Sequence, residues 1–370
     1  MKVFNTLSGK KENLVPIEEN KIKMYVCGMT VYDDTHIGHA RTFISFDLIV
    51  RYLRSINYEV HYIRNITDVD DKIIARAEEL NISPKELTEK YIDSMNEDFM
   101  SLGMIEPDSE PRATDNIDSI ISLIEILIEK GHAYEGDSDV YFSAESFDSY
   151  GKLSRRNLED MLAGARVDVD TDKKNPADFV LWKKNTEGLK WDSPWGAGRP
   201  GWHIECSAMS MDALGETFDI HGGGSDLKFP HHENEIAQSE CVTGKEFAKV
   251  WMHTGSLRID KEKMSKSLKN FVTIKDALEI NSPEVLRLFL ISSHYRSPLN
   301  YSEVGLNEAK NSLDRLYNSL QDLDYETKEY FQTKYSDKFH KAMGDDFNTP
   351  SAISVLFEIA RQINTLKKKN

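Results

Sequence analysis

Two short stretches of this 370-residue chain carry side chains whose spacing suits phosphate chemistry. In His36-Ile37-Gly38-His39 a spacing of three sets both imidazoles on one face of an opening helical turn. The unpaired N–H groups and dipole of a helix start attract phosphate, and Gly38, with no side chain, lets a base or ribose approach the backbone. In Lys261-Glu262-Lys263-Met264-Ser265-Lys266-Ser267 two ammonium groups, those of Lys263 and Lys266, stand three residues apart among serines. On a loop they would suit charge that develops on phosphates during transfer. Taken singly, each motif also reads as an ordinary surface, two helix-start histidines or a solvated lysine loop.

A third group has the chemistry of metal ligands. Cys206 is a soft donor, and His231 and Glu235 are four apart, on one face if that segment is helical. Cys27, at the carboxyl end of the first expected strand, would be a fourth donor, and two thiols, an imidazole and a carboxylate suit tetrahedral zinc. The same residues also read as a small buried hydrophobe (Cys27), a solvated helix position (Glu235) and polar packing (His203, His221, His231, His232), and spacing does not choose between the readings.

The elements that would position these groups follow from periodicity. Residues 21–28 alternate in polarity and read as a strand, 33–35 as a turn, and from His36 to about Ser55 the apolar residues Phe43, Phe46, Ile49, Val50 and Leu53 recur at helical spacing. Residues 59–65 read as a second strand and 70–80 as a helix, so the opening is a βαβ unit with parallel strands. Helices are expected at 84–102 and 115–130, and a hairpin at 133–142 with its turn at 135–138. The polar, turn-rich stretch 151–200 reads as an insertion between two halves of a sheet. The α/β pattern resumes at Trp202, with a strand at 250–254, and beyond about Ile274 nearly everything reads as helix.

Composition bounds the rest. The length implies two or three domains. Three cysteines are too few, and odd in number, for a disulfide framework; they read as thiols or metal ligands in a cytoplasmic protein. No apolar run approaches the roughly 18 residues that span a membrane, and the first residues lack a signal peptide's apolar stretch. A net charge of −16 argues against non-specific nucleic-acid binding, while a local basic strip could still hold phosphates.

The histidine pair just after an early strand, with the lysine motif far downstream, resembles the class I aminoacyl-tRNA synthetases. That resemblance implies a Rossmann-like parallel-sheet nucleotide-binding domain with a connective insertion, followed by an α-helical bundle. It implies that His36 and His39 contact the ATP phosphates, and that Lys263 and Lys266 neutralise the α-phosphate and departing pyrophosphate, Lys266 by direct contact. No general base is needed, because the attacking carboxylate is already ionised. The stretches MYVCGMTVYDDTHIGHAR, NITDVDDKI, ADFVLWK, GRPGWHIECSAMS, DIHGGGSDLKFPHHENEIAQSE and KMSKSLKNF, spread from about residue 20 to 275, resemble the cysteinyl-tRNA synthetases in particular.

This narrower resemblance implies one zinc ion on Cys27, Cys206, His231 and Glu235, a cysteinyl pocket of Gly28, Thr30, Thr67 and Trp202, and a nucleotide site of Thr30, Gly38, His39, Gly224, Ser225 and Asp226 with Lys266. Its substrates would be ATP with Mg2+, L-cysteine and tRNA(Cys), and the enzyme a cytoplasmic monomer. Serine differs from cysteine by one atom, so apolar packing alone would discriminate by about 1–3 kcal/mol, whereas zinc prefers a thiolate to a hydroxyl. The implied division is 1–120 and 201–255 for the halves of the catalytic domain, 121–200 for the insertion, 256–300 for the lysine loop and stem-contact region, and 301–370 for the bundle. The family continues into an anticodon-binding domain, so a chain stopping at Asn370 is expected to be truncated within the bundle. Ligases that join cysteine to an amino-sugar amine share these motifs and stand as the alternative, as does a non-catalytic descendant that binds zinc and nucleotide.

Overall fold

The computed structural model describes residues 1–156, 172–185, 188–259, 262–263, 271–323 and 332–369. It opens with an antiparallel hairpin, β1 (Lys2–Asn5) and β2 (Lys10–Asn13). The expected βαβ unit follows as β3 (Lys21–Thr30), α1 (Ile37–Ser55) and β4 (Glu59–Thr67), with the two strands paired in parallel. Helices α2 (Asp71–Leu80), α3 (Pro84–Ser101) and α4 (Ile117–Glu129) come next. The second half of the sheet is supplied by α5 (Trp202–Leu214), β9 (Phe218–Gly224), α6 (Glu233–Thr243) and β10 (Ala248–Thr254).

Between these halves four strands, β5 (Ala133–Glu135), β6 (Asp139–Phe142), β7 (Phe179–Lys184) and β8 (Gly198–Pro200), pair antiparallel in that order. After the main sheet, β11 (Leu257–Ile259), β12 (Glu262–Lys263) and β13 (Leu299–Tyr301) make a small mixed sheet around α7 (Ile274–Ile280) and α8 (Pro283–Ile291). Helices α9 (Glu303–Leu320), α10 (Lys334–Met343) and α11 (Thr349–Lys367) then pack on one another. Among the described residues no helix is long and apolar enough to cross a membrane.

The main sheet runs β10-β9-β3-β4, all parallel. From β3 the chain crosses to β4 on one side, and from β9 to β10 on the other, so the strand order reverses between β3 and β9, where open α/β sheets bind ligands. Pairing between these two strands is confined to Met24–Val26 against Ile220–Gly222. Beyond it Cys27–Thr30 and the last two residues of β9 separate and become walls of a crevice.

Helix α1 covers the sheet because its apolar residues occupy nearly every face: Ile37, Phe43, Phe46, Ile49, Val50 and Leu53 are all buried. Its Arg41 is buried too and donates to the carbonyls of Leu290, His294 and Ser297, which fastens α1 to the segment after α8. Burial pushes that guanidinium down to about 10, still charged at neutral pH.

The structure departs from the sequence reading at its polar and glycine-rich strands. The stretch Phe218–Gly224 is a central strand although its second half is His-Gly-Gly-Gly. A side chain at Gly222 would sit 2.4 Å from the Phe46 ring, so the close packing of α1 on the sheet demands glycine there. The polar stretch 151–200 contains β7 and β8, and the tail, expected to be almost all helix, contains β13.

Register between β3 and β4 breaks at a bulge between Val26 and Met29, which turns Cys27 toward the crevice side of the sheet end. The Gly28 N–H donates to Asn65 Oδ1 at 2.8 Å, and a Cβ on Gly28 would lie 1.7 Å from the Asn65 carbonyl oxygen. Gly28→Ala should therefore force the two strands apart and cost roughly 1–3 kcal/mol. Thermal unfolding should show a midpoint several degrees below the parent's; a midpoint within one degree of it would mean the bulge yields freely.

Candidate active site and metal centre

A cavity of about 420 Å³ opens at the carboxyl ends of the main strands, within the range of small-ligand sites. Its lining takes Cys27, Gly28 and Thr30 from β3, His36, Gly38 and His39 from the start of α1, and Thr67 from the end of β4. Trp202 and Cys206 of α5 contribute, with Gly224, Ser225 and Asp226 at the end of β9, and His231 before α6. Glu235 lies behind this wall, fully buried. Of the lysine motif, only the backbone of Lys263 is described, in β12 opposite Arg258, and Lys266 falls outside the described residues.

The histidine pair caps its own helix. His36 Nδ1 accepts from the N–H groups of Gly38 and His39, at 3.1 and 3.2 Å, and His39 Nδ1 accepts from the His36 N–H at 3.3 Å. A neutral imidazole that accepts at Nδ1 carries its proton on Nε2. The cap thus fixes the same tautomer in both rings, and each presents an Nε2–H donor. The rings stack 3.5 Å apart, with Phe271 edge-on to His36. Backbone bonds tie this turn to the chain just past the lysine motif: Ile37 N–H donates to Val272 O, and Ile274 N–H to Thr35 O. The histidine turn is thus bound to residues 272–274 although more than two hundred residues separate them.

Cys27, Cys206, His231 and Glu235 offer donor atoms that all lie within 4.8 Å of one another. Cys27 Sγ is 3.8 Å from Cys206 Sγ and 3.5 Å from Glu235 Oε1, and His231 Nε2 is 3.1 Å from that same oxygen. His231 is delivered by an irregular turn and Glu235 by the first turn of α6, so the four-residue spacing converges although the helix begins only at Glu233. A second set, Cys27, His221, His232 and Glu235, meets the same distance limit. The first is favoured, because Cys206 and His231 face the cavity while His221 and His232 already serve as supports. His221 Nε2 bonds Glu235 Oε2 at 2.7 Å, and His232 Nδ1 bonds His253 Nε2 at 2.9 Å. His203 Nδ1 lies 2.8 Å from His231 Nδ1, and Trp202, 38% exposed, stacks on the His231 ring at 4.1 Å. Burial pushes the Cys27 thiol and the Glu235 carboxyl well up, the state expected of donors that shed protons to a cation.

Several site residues escaped the sequence reading. Asn65 holds Gly28 through Oδ1 and donates from Nδ2 to the Thr67 hydroxyl at 3.3 Å. Thr42 and Thr254 share a hydroxyl contact of 2.9 Å across the cavity floor. Glu205, fully buried beside Cys206, has its carboxyl pushed well up by burial. Neutral amides and hydroxyls, on strands (Asn65, Thr254) or on a helix (Thr42), carry no spacing signal of their own; for Glu205, a carboxylate inside an otherwise apolar helix face is the signal.

The family model "tRNA synthetases class I (C) catalytic domain" matches residues 13–311, and the DALR domain model matches 338–370. Cysteine–tRNA ligases from Hahella chejuensis, Marinomonas sp. and Haemophilus influenzae are 55%, 57% and 56% identical, each over 100% of this chain and 81% of its own length. Among solved structures, Mycobacterium tuberculosis methionyl-tRNA synthetase with methionyl-adenylate superposes with a TM-score of 0.71 at 14% identity, covering 94% of this chain and 83% of that one. A ternary LeuRS–tRNA–LeuAMS complex from Agrobacterium radiobacter gives 0.67 at 11%, over 96% and 82%. These structural likenesses speak to the fold alone.

The buried imidazoles make stability pH-dependent. Burial pulls His203 down to about 4 and His221 and His253 to about 3, and His231 and His232 well below the usual 6.5. Their contribution is whole above the unfolded value of about 6.5 and is lost as pH falls from there toward the folded values, about 1.4 kcal/mol per pH unit for each. Glu235 and Glu205, both raised, act oppositely, losing stability as pH rises above about 4.3, but they are two groups against five. The metal-stripped protein should therefore melt at progressively lower temperature between pH 6.5 and 5, and His253→Gln should flatten that slope. Equal slopes in parent and variant would show that His253 is charged in the folded state.

Proposed function

The chain belongs to the class I cysteine–tRNA ligases, and from that premise we propose how its residues divide the reaction. The activity is ATP-dependent charging of tRNA with cysteine. Transfer to an amino sugar finds no support, since relatives matching the whole chain are named for tRNA. In the first step a cysteine carboxylate oxygen attacks the α-phosphorus of ATP, and the bond to the bridging oxygen breaks as pyrophosphate leaves with its electron pair. In the second, a terminal ribose hydroxyl of tRNA attacks the carbonyl carbon and AMP departs.

The first step asks for positioning and charge rather than proton removal. His36 and His39 present Nε2–H donors to the ATP phosphates from the start of α1, whose dipole has the same sign of preference. Lys263 and Lys266 neutralise the charge that builds on the α-phosphate and pyrophosphate; this role rests on the motif and the family. Gly224, Ser225 and Asp226 accept the ribose at the end of β9, and Gly38 leaves room for the nucleotide. Mg2+ arrives with ATP.

Cys27, Cys206, His231 and Glu235 would hold one zinc ion, which their donor set and convergence fit. When bound, zinc supplies a Lewis acid that takes a thiol as thiolate and discriminates against the hydroxyl of serine. Trp202, stacked on His231, walls the cysteine side chain. Gly28 lies at the cavity wall, and the Thr67 hydroxyl, accepting from Asn65, keeps its own proton to donate, with Thr30 beside it at the end of β3. The observation that carries this reading is that three of the four metal donors open onto the same cavity as the capped histidine pair.

Metal analysis should find one zinc per chain, and Cys206→Ser should weaken zinc binding by about tenfold or more, by metal competition. Cysteine-dependent ATP–pyrophosphate exchange should fall with it, and the preference for cysteine over serine should narrow. A metal-free protein that keeps full preference for cysteine would defeat the assignment. His36→Asn and His39→Asn should each lower kcat for exchange roughly 10²–10³-fold with little change in KM for cysteine; an unchanged kcat would remove them from the transition state.

A further inference from the structure

Three cations gather beside the turn that follows β9, between Leu227 and His231 of the cavity wall, and among the described residues none of them has a counter-ion. Loop 150–154, from the insertion, is fastened to the start of α6: Glu233 Oε1 accepts from the N–H groups of Gly151 and Leu153, and Oε2 from that of Ser154 at 2.7 Å. Lys152 adds an ion pair to Glu240 at 2.5 Å. This docking brings the next two residues, Arg155 and Arg156, both exposed, against Lys228 and Phe229. The Arg156 guanidinium stands 4.9 Å from the centre of the Phe229 ring. Arg155 adopts a left-handed backbone (φ 58°), and its guanidinium lies over Gly9 in the turn of the opening hairpin.

Burial and the two arginines push the Lys228 ammonium down, as close like charges do. Glu233 opposes this, but its oxygens already accept three backbone N–H groups. Among the described residues none of the three cations has a side-chain ion-pair or hydrogen-bond partner, whereas Arg51, Arg54, Arg64, Arg112 and Arg287 all meet carboxylates. In a chain of net charge −16, three unpaired cations around an aromatic ring mark a surface completed by an external polyanion. Cations beside a half-buried ring fit the pattern that holds single-stranded nucleic acid, phosphate to cation and base to ring. Position narrows the partner further. Lys228 lies between Asp226 and His231, both on the cavity wall, so a strand tracking the cluster is led to the place where the amino acid is activated.

We propose that Arg155, Arg156 and Lys228, with Phe229, hold the phosphates of the single-stranded 3′ end of tRNA as it enters the cavity for the transfer step. The proposal rests on the tRNA-charging activity and adds the surface that delivers its second substrate. Arg155 is left untouched in the test because it also packs on the hairpin.

The test uses the zinc-loaded full chain with Arg156→Gln plus Lys228→Gln, and with the charge-keeping pair Arg156→Lys plus Lys228→Arg. Cysteine-dependent ATP–pyrophosphate exchange should stay within about twofold of the parent in both. Single-turnover transfer from preformed adenylate to a tRNA transcript should fall about tenfold or more in the neutral pair, and its log–log salt dependence should become shallower by about 1.4, two contacts at roughly 0.7 each. The charge-keeping pair should transfer near the parent rate. Transcripts lacking the unpaired 3′ nucleotides should bind parent and neutral pair equally. Parent-like transfer and salt slope would overturn the proposal, as would an exchange loss matching the transfer loss, or an equal binding deficit on the shortened transcript. If the parent itself exchanged pyrophosphate but transferred nothing to tRNA, the charging premise would fall along with it.

Discussion

Hydrogen bonding between β3 and β9 stops after Val26 and Gly222, and the rest of the site depends on that stop. The two strands are neighbours, yet their crossovers leave in opposite directions, so among the described residues no third strand pairs into the gap at their carboxyl ends. The residues just past the last bonds, Cys27 to Thr30 on one side and Gly223 and Gly224 on the other, become facing walls. The helix that follows β3 then points its start into the gap, and the turn that follows β9 carries Asp226 and His231 to it. Had pairing continued, the thiol of Cys27 would be one more packed side chain in a sheet.

The metal donors illustrate what such a gap costs. Two thiols, a carboxyl and an imidazole are gathered in a region with almost no exposure, where burial favours the neutral forms of Cys27, Glu235 and His231. The cluster cannot be a source of stability on its own. The fold stands on the large apolar core around α1, β3, β4 and α8, and the donors are carried by it. Support is also local: His221 orients one oxygen of Glu235 while the other faces the thiol, and His203 backs His231. Such outer contacts fix a ligand's direction as firmly as its own rotamer does.

Much of this was legible from residues alone. The first βαβ unit could be read because Phe43, Phe46, Ile49 and Val50 repeat at helical spacing between two alternating strands, and the structure has it with the cap at His36. The four donors were chosen from their chemistry and from resemblance, and the fold brings them together. Illegible features were of two kinds. Strand β9 hid behind its glycines, since what crowds them is packed on from elsewhere: Phe46 of α1 at Gly222, and His232 and Leu227 at Gly223. Asn65 hid because its function is to hold the Gly28 backbone and the Thr67 hydroxyl, contacts that depend on the bulge and leave no periodic trace. The cation cluster combines residues from the insertion with a turn of the main domain, so only their juxtaposition gives Arg156 and Lys228 a meaning in common.

The distance along the chain between Cys27 and Glu235, 208 residues, also sets an order in time. A ribosome adding about 5–20 residues each second needs on the order of 10–40 s to pass from one to the other. Through that interval β3 can pair with β4, but its other edge has no β9, and the thiol at its end has no partner donors. The first βαβ unit is therefore made long before the last of the four donors, while α8, which completes the apolar core, is made after all of them.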